Sequence, residues 1–295
     1  MVIGVVDVRG HKYIMPFSKG VLSISLMRAK LDVAEAYITA REVEKDLESR
    51  GVWEIEEEEL VDLVKQKLIG KGFEKNAVYY EMWQKIREEK KSVIILLGGA
   101  TASGKSTIAS ELGYRLGIRR VIGTDSIREV MRKMLSIELI PSLYYSSFLV
   151  GRNLKPPSSY INKTIYGFEK QTSNVAVGIN AIIERARGEG FNLILEGIHL
   201  VPGYIKDEDN LSHFILNPPS IEQHKSMIIK RFMNVKRPAD RYLDHLTEIG
   251  EIKDYINETA RSNDVKIIQN CTVSDTIEEI MTDVIGKLSE KVTAG

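Results

Sequence analysis

The chain has 295 residues, with 41 Lys and Arg against 41 Asp and Glu, so its formal net charge is zero; that balance argues against a general nucleic-acid binder, which carries a basic excess. Hydrophobic residues make up 43% and Cys271 is the single cysteine, which excludes a disordered chain, a disulfide scaffold and an all-cysteine metal site. The length suggests about two domains. Apolar runs such as Val93 to Leu97 fall far short of the ~20 residues of a transmembrane helix, and the first residues show no basic stretch leading into a long apolar one. The expected address is cytoplasmic, with neither membrane nor nucleic acid as partner.

Pattern places a boundary near Lys90, giving expected domains 1–90 and 91–295. Val2 to Val8 alternates like a strand, Arg9-Gly10 turns, and Tyr13-Ile14 continues as a second strand. Ser18 is placed to cap a helix through Leu22, Leu26 and Leu31, and Ala34 to Leu47 has helical apolar spacing. Glu56 to Glu59 precede Leu60, Leu63, Val64 and Leu68, as suits the positive end of a helix. Ala77 to Lys91 reads as a helical connector. This part is an α+β unit, a hairpin followed by helices.

In the second part strands and helices alternate. Val93 to Leu97 is a continuous apolar run, the pattern of a buried parallel strand. A helix is expected from Lys105, a strand at Val121 to Gly123 and a helix through Ile127, Val130, Met131 and Met134. Ser136 to Thr172 reads as irregular, and Asn174 to Arg187 as helix. Strands are expected at Asn192 to Leu195, Phe214 to Leu216 and Val265 to Ile268, with helices at Ile221 to Phe232, Leu246 to Ala260 and Ile277 to Leu288. Such alternation builds an α/β fold whose parallel sheet is covered by helices on both faces.

Between the first of these strands and its helix lies Gly99-Ala100-Thr101-Ala102-Ser103-Gly104-Lys105-Ser106, a full match to G-x-x-x-x-G-K-[ST] in the strand–loop–helix context the motif requires. Glycines let consecutive backbone N–H groups turn toward phosphate oxygens, and the helix start adds its positive end. Lys105 can reach the β- and γ-phosphates of a bound nucleotide, the Ser106 hydroxyl can hold Mg²⁺, and Thr107 supports the loop. ATP and Mg²⁺ are the expected cofactors. A guanine-specificity pattern is missing, since Asn162-Lys163-Thr164 runs on into Ile165.

Glu196 ends a strand on the side of a parallel sheet that faces the ligand crevice. Asp125 follows the second strand in the same way, where a carboxylate can align an acceptor hydroxyl, take its proton late, bind a Mg²⁺ water or cap the helix beginning near Ser126. Arg128 and Arg132 share one face of that helix, where one of them could grip an anionic acceptor. Lys225, Lys230, Arg231, Lys236, Arg237 and Arg241 form a basic run after the fourth strand, where P-loop kinases carry a lid; Arg231, Arg237 and Arg241 are its candidate charge-neutralising residues. His199 is expected to line or prop the acceptor pocket. His11, His213, His224 and His245 form no metal-ligand cluster by spacing, and Cys271 reads as a small buried residue.

The segments Gly98 to Thr107, Gly123 to Arg132, Tyr166 to Gln171 and Leu195 to Gly203 make the chain resemble the archaeal 2-phosphoglycerate kinases, a likeness that covers nearly the whole length and extends in fold to nucleoside monophosphate kinases. Val5 to Gly10, Pro16-Phe17, Lys19 and Ser23 to Ala29 are similar to an ATP-cone. The resemblance implies ATP-dependent phosphorylation of 2-phosphoglycerate to 2,3-bisphosphoglycerate, a step toward the cyclic form. It also implies that Ser136 to Thr172 wraps a small-molecule acceptor, with Ser146, Ser147, Arg152, Lys155 and Lys163 as donors. The residues alone leave open another small anionic hydroxy acid, a nucleoside monophosphate, or a nucleotide-regulated binding protein. The first domain is read as regulatory or as a packing surface for a homo-oligomer.

Overall fold

The computed structural model describes residues 6–10, 13–88, 92–158, 162–206, 211–233 and 240–293. By compactness the chain divides into two units, Met1–Lys90 with Tyr114–Gly117 and Met281–Gly295, and Lys91–Gly113 with Ile118–Ile280. The expected boundary at Lys90 and the first strand residues, Val2 to Val5, lie outside the described residues.

In the first unit β1 (Asp7–Gly10) pairs antiparallel with β2 (Tyr13–Pro16). Helices α1 (Lys19–Arg28) and α2 (Val33–Ser49) follow, then β3 (Glu54–Glu56), α3 (Glu57–Gly70) and α4 (Glu74–Glu88). The caps behave as their side chains dictate. Ser18 Oγ accepts from the Val21 amide at 3.4 Å, and Asp32 Oδ1 accepts from Ala34 and Glu35 at 2.8 and 3.0 Å. Leu26, Val43, Leu47, Val64 and Leu68 are buried at the centre of this unit. Strand β3, which pairs parallel with β1, was not expected. Its three residues carry two glutamates and a single buried side chain, Ile55, too little for an alternation to show.

The second unit begins with β4 (Ile94–Gly98), α5 (Lys105–Leu116), β5 (Val121–Gly123) and α6 (Thr124–Met134). After two short 3₁₀ turns at Pro141–Tyr144 and Val150–Arg152 come α7 (Lys163–Glu189), β6 (Leu193–Glu196) and β7 (Leu211–Asn217). The chain closes with α8 (Ile221–Met233), α9 (Asp240–Leu243), α10 (Leu246–Ser262), β8 (Lys266–Gln269) and α11 (Val273–Thr293). The strands order as β5-β6-β4-β7-β8 with every pairing parallel. All five residues of β4 are buried, so both faces of the centre are covered, as a doubly wound sheet requires. Ile94 and Leu96 pack with Leu193, Leu195 and the α7 residues Val175, Ile179 and Ile183, while Ile95 and Leu97, pointing the other way, are equally buried.

Three expectations need correction. The irregular stretch ends at Asn162, not Thr172. Asn162 Oδ1 caps α7 by accepting from Ile165 at 3.1 Å, and Gly167 packs so tightly on the turn before it that a Cβ there would meet the Gly151 nitrogen at 2.2 Å. A Gly and β-branched residues weaken local helix signal, and tertiary packing overrides it. Asp125 does not cap α6; Gly123 is the N-cap and Asp125 lies in the first turn. Cys271 is exposed, because it follows β8 at the sheet's edge instead of lying within the strand.

Candidate active site

The site grows from the C-terminal ends of β4, β5 and β6. Register sets Leu97 opposite Glu196 and Gly123 opposite Glu196. The glycine-rich loop after β4, Glu196 at the end of β6 and Thr124-Asp125 after β5 are therefore abreast on one edge. The chain leaves β4 for one side of the sheet and β6 for the other, and such a switch point opens a crevice at this edge.

The loop is held by its carbonyls. Lys105 Nζ donates to the Ala100 carbonyl, His224 Nε2 donates to the Thr101 carbonyl at 2.7 Å, and Asn270 Nδ2 donates to the Ser103 carbonyl at 3.0 Å. Carbonyls held this way favour a concave face of amides, which suits phosphate. Gly104, at φ +91°, admits Asn270 because it has no side chain: a Cβ would sit 2.1 Å from Asn270 Nδ2. Asn270 is itself held by Thr276 Oγ1, which donates to its Oδ1 at 3.1 Å. Neither Asn270 nor His224 was singled out from sequence. Asn270 had a signal, a polar residue just past a strand at the ligand edge; His224, in the first turn of α8, had none.

Lys105 is 6% exposed, with Nζ also 3.3 Å from Ser103 Oγ. Ser106 and Thr107 are exposed on the first turn of α5. Ala102, Ser103, Gly104, Lys105, Ser106 and Thr107 border an open cleft that Met227 and Lys230 of α8 also line. Ser106 Oγ donates to Glu196 Oε1 at 3.0 Å. A hydroxyl and a carboxylate meeting beside a phosphate loop fit Mg²⁺, which prefers oxygen donors and retains waters. Among the described residues no group of three or more His, Cys, Asp or Glu could hold a metal by itself, so the remaining ligands would be nucleotide oxygens and water.

On the acceptor side Asp125 is exposed, and Arg128 Nε lies 3.5 Å from its Oδ1. Arg128 also donates to the Leu143 carbonyl at 2.9 Å, which links α6 to the insert between α6 and α7. Arg132 is turned away: it pairs with Glu129 and lies over the Tyr144 ring. Ser147 is buried and donates to Gln171 Oε1 at 2.7 Å, and Ser146 is half-buried. Arg152 pairs with Glu248. Arg231 and Arg241 fall on α8 and α9, and Arg237 lies outside the described residues.

His199 is fully buried, with Nε2 donating to Gln171 Oε1 at 3.1 Å and Nδ1 accepting from Thr124 Oγ1 at 3.0 Å. Burial pushes its pKa down to about 4; the charge of Asp125 opposes that shift, and those of Arg128 and Lys105 add to it. His199 is therefore neutral at pH 7 and reaches the site only through its partners. Gly197, at φ +155°, lets Thr124 come that near: a Cβ there would lie 1.7 Å from Thr124 Oγ1.

A phosphate loop at the switch point of this sheet, with a hydroxyl–carboxylate pair beside its lysine, defines a P-loop phosphotransferase. Among curated proteins the chain is 42% identical to the 2-phosphoglycerate kinase of Thermococcus kodakarensis, covering 95% of this chain and 96% of that one. It is 45% identical to the 2-phosphoglycerate kinase of Pyrococcus horikoshii (96% and 94%) and 41% identical to that of Methanothermobacter thermautotrophicus (93% and 92%). The chain belongs to the 2-phosphoglycerate kinase family. A family model, ATP cone domain, matches residues 8–89. Solved structures that the chain matches include a shikimate kinase from Acinetobacter baumannii in complex with shikimate (TM-score 0.37, 13% identity, 68% of this chain and 97% of that one). Another is a gluconokinase from Sinorhizobium meliloti (TM-score 0.39, 13% identity, 68% and 95%).

The ATP-cone unit has a pocket of its own. Val8, Tyr13, Met15, Phe17, Leu60 and Tyr80 make it mainly apolar, and Glu57 adds a carboxylate that accepts from Tyr13 Oη at 3.2 Å. Arg9, the basic residue of the resemblance, is engaged by Glu54 and Glu56.

Proposed function

We propose that the chain transfers the γ-phosphoryl group of Mg-ATP to the free hydroxyl of 2-phosphoglycerate, forming ADP and 2,3-bisphosphoglycerate in the cytoplasm. The observation that carries the chemistry is the Ser106–Glu196 contact at 3.0 Å beside Lys105; the names of the relatives supply the acceptor. In this reading the amides of Gly99 to Gly104 and the Lys105 ammonium hold the β- and γ-phosphates. Ser106 would hold Mg²⁺, with Glu196 placed to orient a water on it. The bound metal supplies charge neutralisation on the phosphates. Asp125 aligns the acceptor hydroxyl and takes its proton late, as expected for a loose transition state that needs positioning more than a strong base. Arg128 holds an anionic group of the acceptor, and Lys230 with Arg231, Arg237 and Arg241 completes the charge balance over the triphosphate. The kinase domain is read as residues 91–295, and the ATP-cone unit as its regulatory or oligomer-forming partner.

Product analysis tests the reading. Incubated with Mg-ATP and 2-phosphoglycerate, the protein should release ADP and 2,3-bisphosphoglycerate in equal amounts, faster than with 3-phosphoglycerate or nucleoside monophosphates. Rapid transfer to another hydroxy acid with none to 2-phosphoglycerate would overturn the acceptor and keep the kinase.

A further inference from the structure

Gln171 sits in the third turn of α7, fully buried, and uses its whole hydrogen-bonding capacity. Its Oε1 accepts from Ser147 Oγ at 2.7 Å and from His199 Nε2 at 3.1 Å. Its Nε2 donates to the carbonyls of Ser142 and Tyr145 at 2.7 and 2.9 Å. The amide orientation is unambiguous in this setting: two carbonyls demand the NH₂, and the oxygen takes the two remaining donors. It follows that the His199 proton is on Nε2, and that Nδ1 accepts from the Thr124 hydroxyl at 3.0 Å. Ser142, Ser147, Gln171, His199 and Thr124 are all buried.

The chain segments joined by this relay are those that carry the chemistry. Ser142, Tyr145 and Ser147 belong to the insert expected to wrap the acceptor. Thr124 precedes Asp125, and His199 follows Glu196 by three residues. A buried amide costs desolvation that an aliphatic side chain would avoid. What it contributes in return is a fixed distance between the insert and the carboxylate that meets the acceptor hydroxyl. Selectivity between acceptors whose anionic group differs by one carbon depends on that distance.

We propose that Gln171 is a positioning residue that sets acceptor selectivity, acting through His199 and Thr124 on the Asp125 segment and directly on the insert. The proposal rests on the phosphoryl-transfer reading above. A side chain that merely filled the core would affect folding and both substrates alike. A spacer between insert and carboxylate acts on the acceptor alone.

The test is steady-state kinetics of the full chain with 2-phosphoglycerate and 3-phosphoglycerate, each against ATP. Gln171→Glu keeps size and shape, but a carboxyl group, protonated or not, cannot donate to both Ser142 and Tyr145. The expected result is a drop of about 100-fold in kcat/KM for 2-phosphoglycerate, carried by the acceptor KM, with the ATP KM unchanged and the preference over 3-phosphoglycerate narrowed by about tenfold. At the other end of the relay, Thr124→Val removes the hydroxyl at nearly constant volume and should give the same signature. Thr124→Ser keeps the hydroxyl and should restore the preference. Because Thr124→Val lies outside α7, it decides the matter even where Gln171→Glu fails to fold. Folded Gln171→Glu and Thr124→Val proteins that keep the wild-type acceptor KM and preference overturn the proposal, as does an equal loss toward ATP and acceptor. Wild-type protein that ignores 2-phosphoglycerate overturns the acceptor assignment instead, and the same variants are then read on the acceptor it does use.

Discussion

At the scale of single residues, Lys105 and His199 show how differently two buried titratable groups serve one site. The Lys105 ammonium folds onto the Ala100 carbonyl and Ser103 Oγ, a local arrangement that phosphate oxygens can replace. Lys105→Ala should lower kcat by about 100-fold or more while circular dichroism and the melting temperature stay near wild type; near-normal turnover would show that the loop is not where transfer occurs. His199 affects stability. Its folded pKa of about 4 lies below the ordinary 6.5, so between these values the unfolded chain binds more protons and acid weakens the fold. The contribution is fully present above pH 6.5, has fallen by about 2 kcal/mol at pH 5, and is lost as pH approaches 4. Denaturant unfolding at pH 7 and pH 5 should therefore show a smaller loss in His199→Gln than in wild type, and equal losses would refute it. Lys105, Ser106 and Glu196 were legible in the sequence because each ends or follows a strand in a known pattern. The partners of His199 were not, since Gln171 and Thr124 are 28 and 75 residues away along the chain.

At the scale of elements, the strand–loop–helix at 94–116 was legible, because an apolar run, glycines and a lysine fall at a spacing that only one local structure satisfies. The full length of α7 was not, since its first turns are held by the Asn162 cap and the Gly151–Gly167 contact rather than by propensity. The ATP-cone elements make a separate prediction. Glu57 lines the pocket there and Arg9 is neutralised by Glu54 and Glu56, so a triphosphate would bring its charge against carboxylates. Equilibrium binding of a non-hydrolysable ATP analogue to the full chain should give one site per chain, lost in Lys105→Ala. A second site that survives Lys105→Ala would show that the cone pocket takes nucleotide.

At the scale of the whole molecule, the compact units do not follow the chain in two simple blocks. Met281, Val284, Ile285 and Leu288 of α11 are buried and group with the unit built from the first ninety residues. A fragment of residues 91–295 leaves these side chains without the rest of their unit, and burial of each contributes about 1.5–3 kcal/mol. The fragment should still bind Mg-ATP, because the loop, Glu196 and Asn270 remain, and it should melt well below the full chain in calorimetry. An unchanged melting temperature would show that α11 is stabilised entirely by the kinase unit.

The sequence by itself determined the α/β class, the strand–helix alternation and the phosphate loop, because each depends on periodicity or spacing within a few residues. It also carried the family likeness, in four short segments near the sheet's ligand edge. Tertiary structure alone decided the strand order, the pairing of Ser106 with Glu196 across 90 residues, the clamp of Asn270 on the loop and the relay through Gln171. Those contacts arise where the folded sheet brings distant loops together at one edge, and nothing in the local pattern around either partner encodes the other.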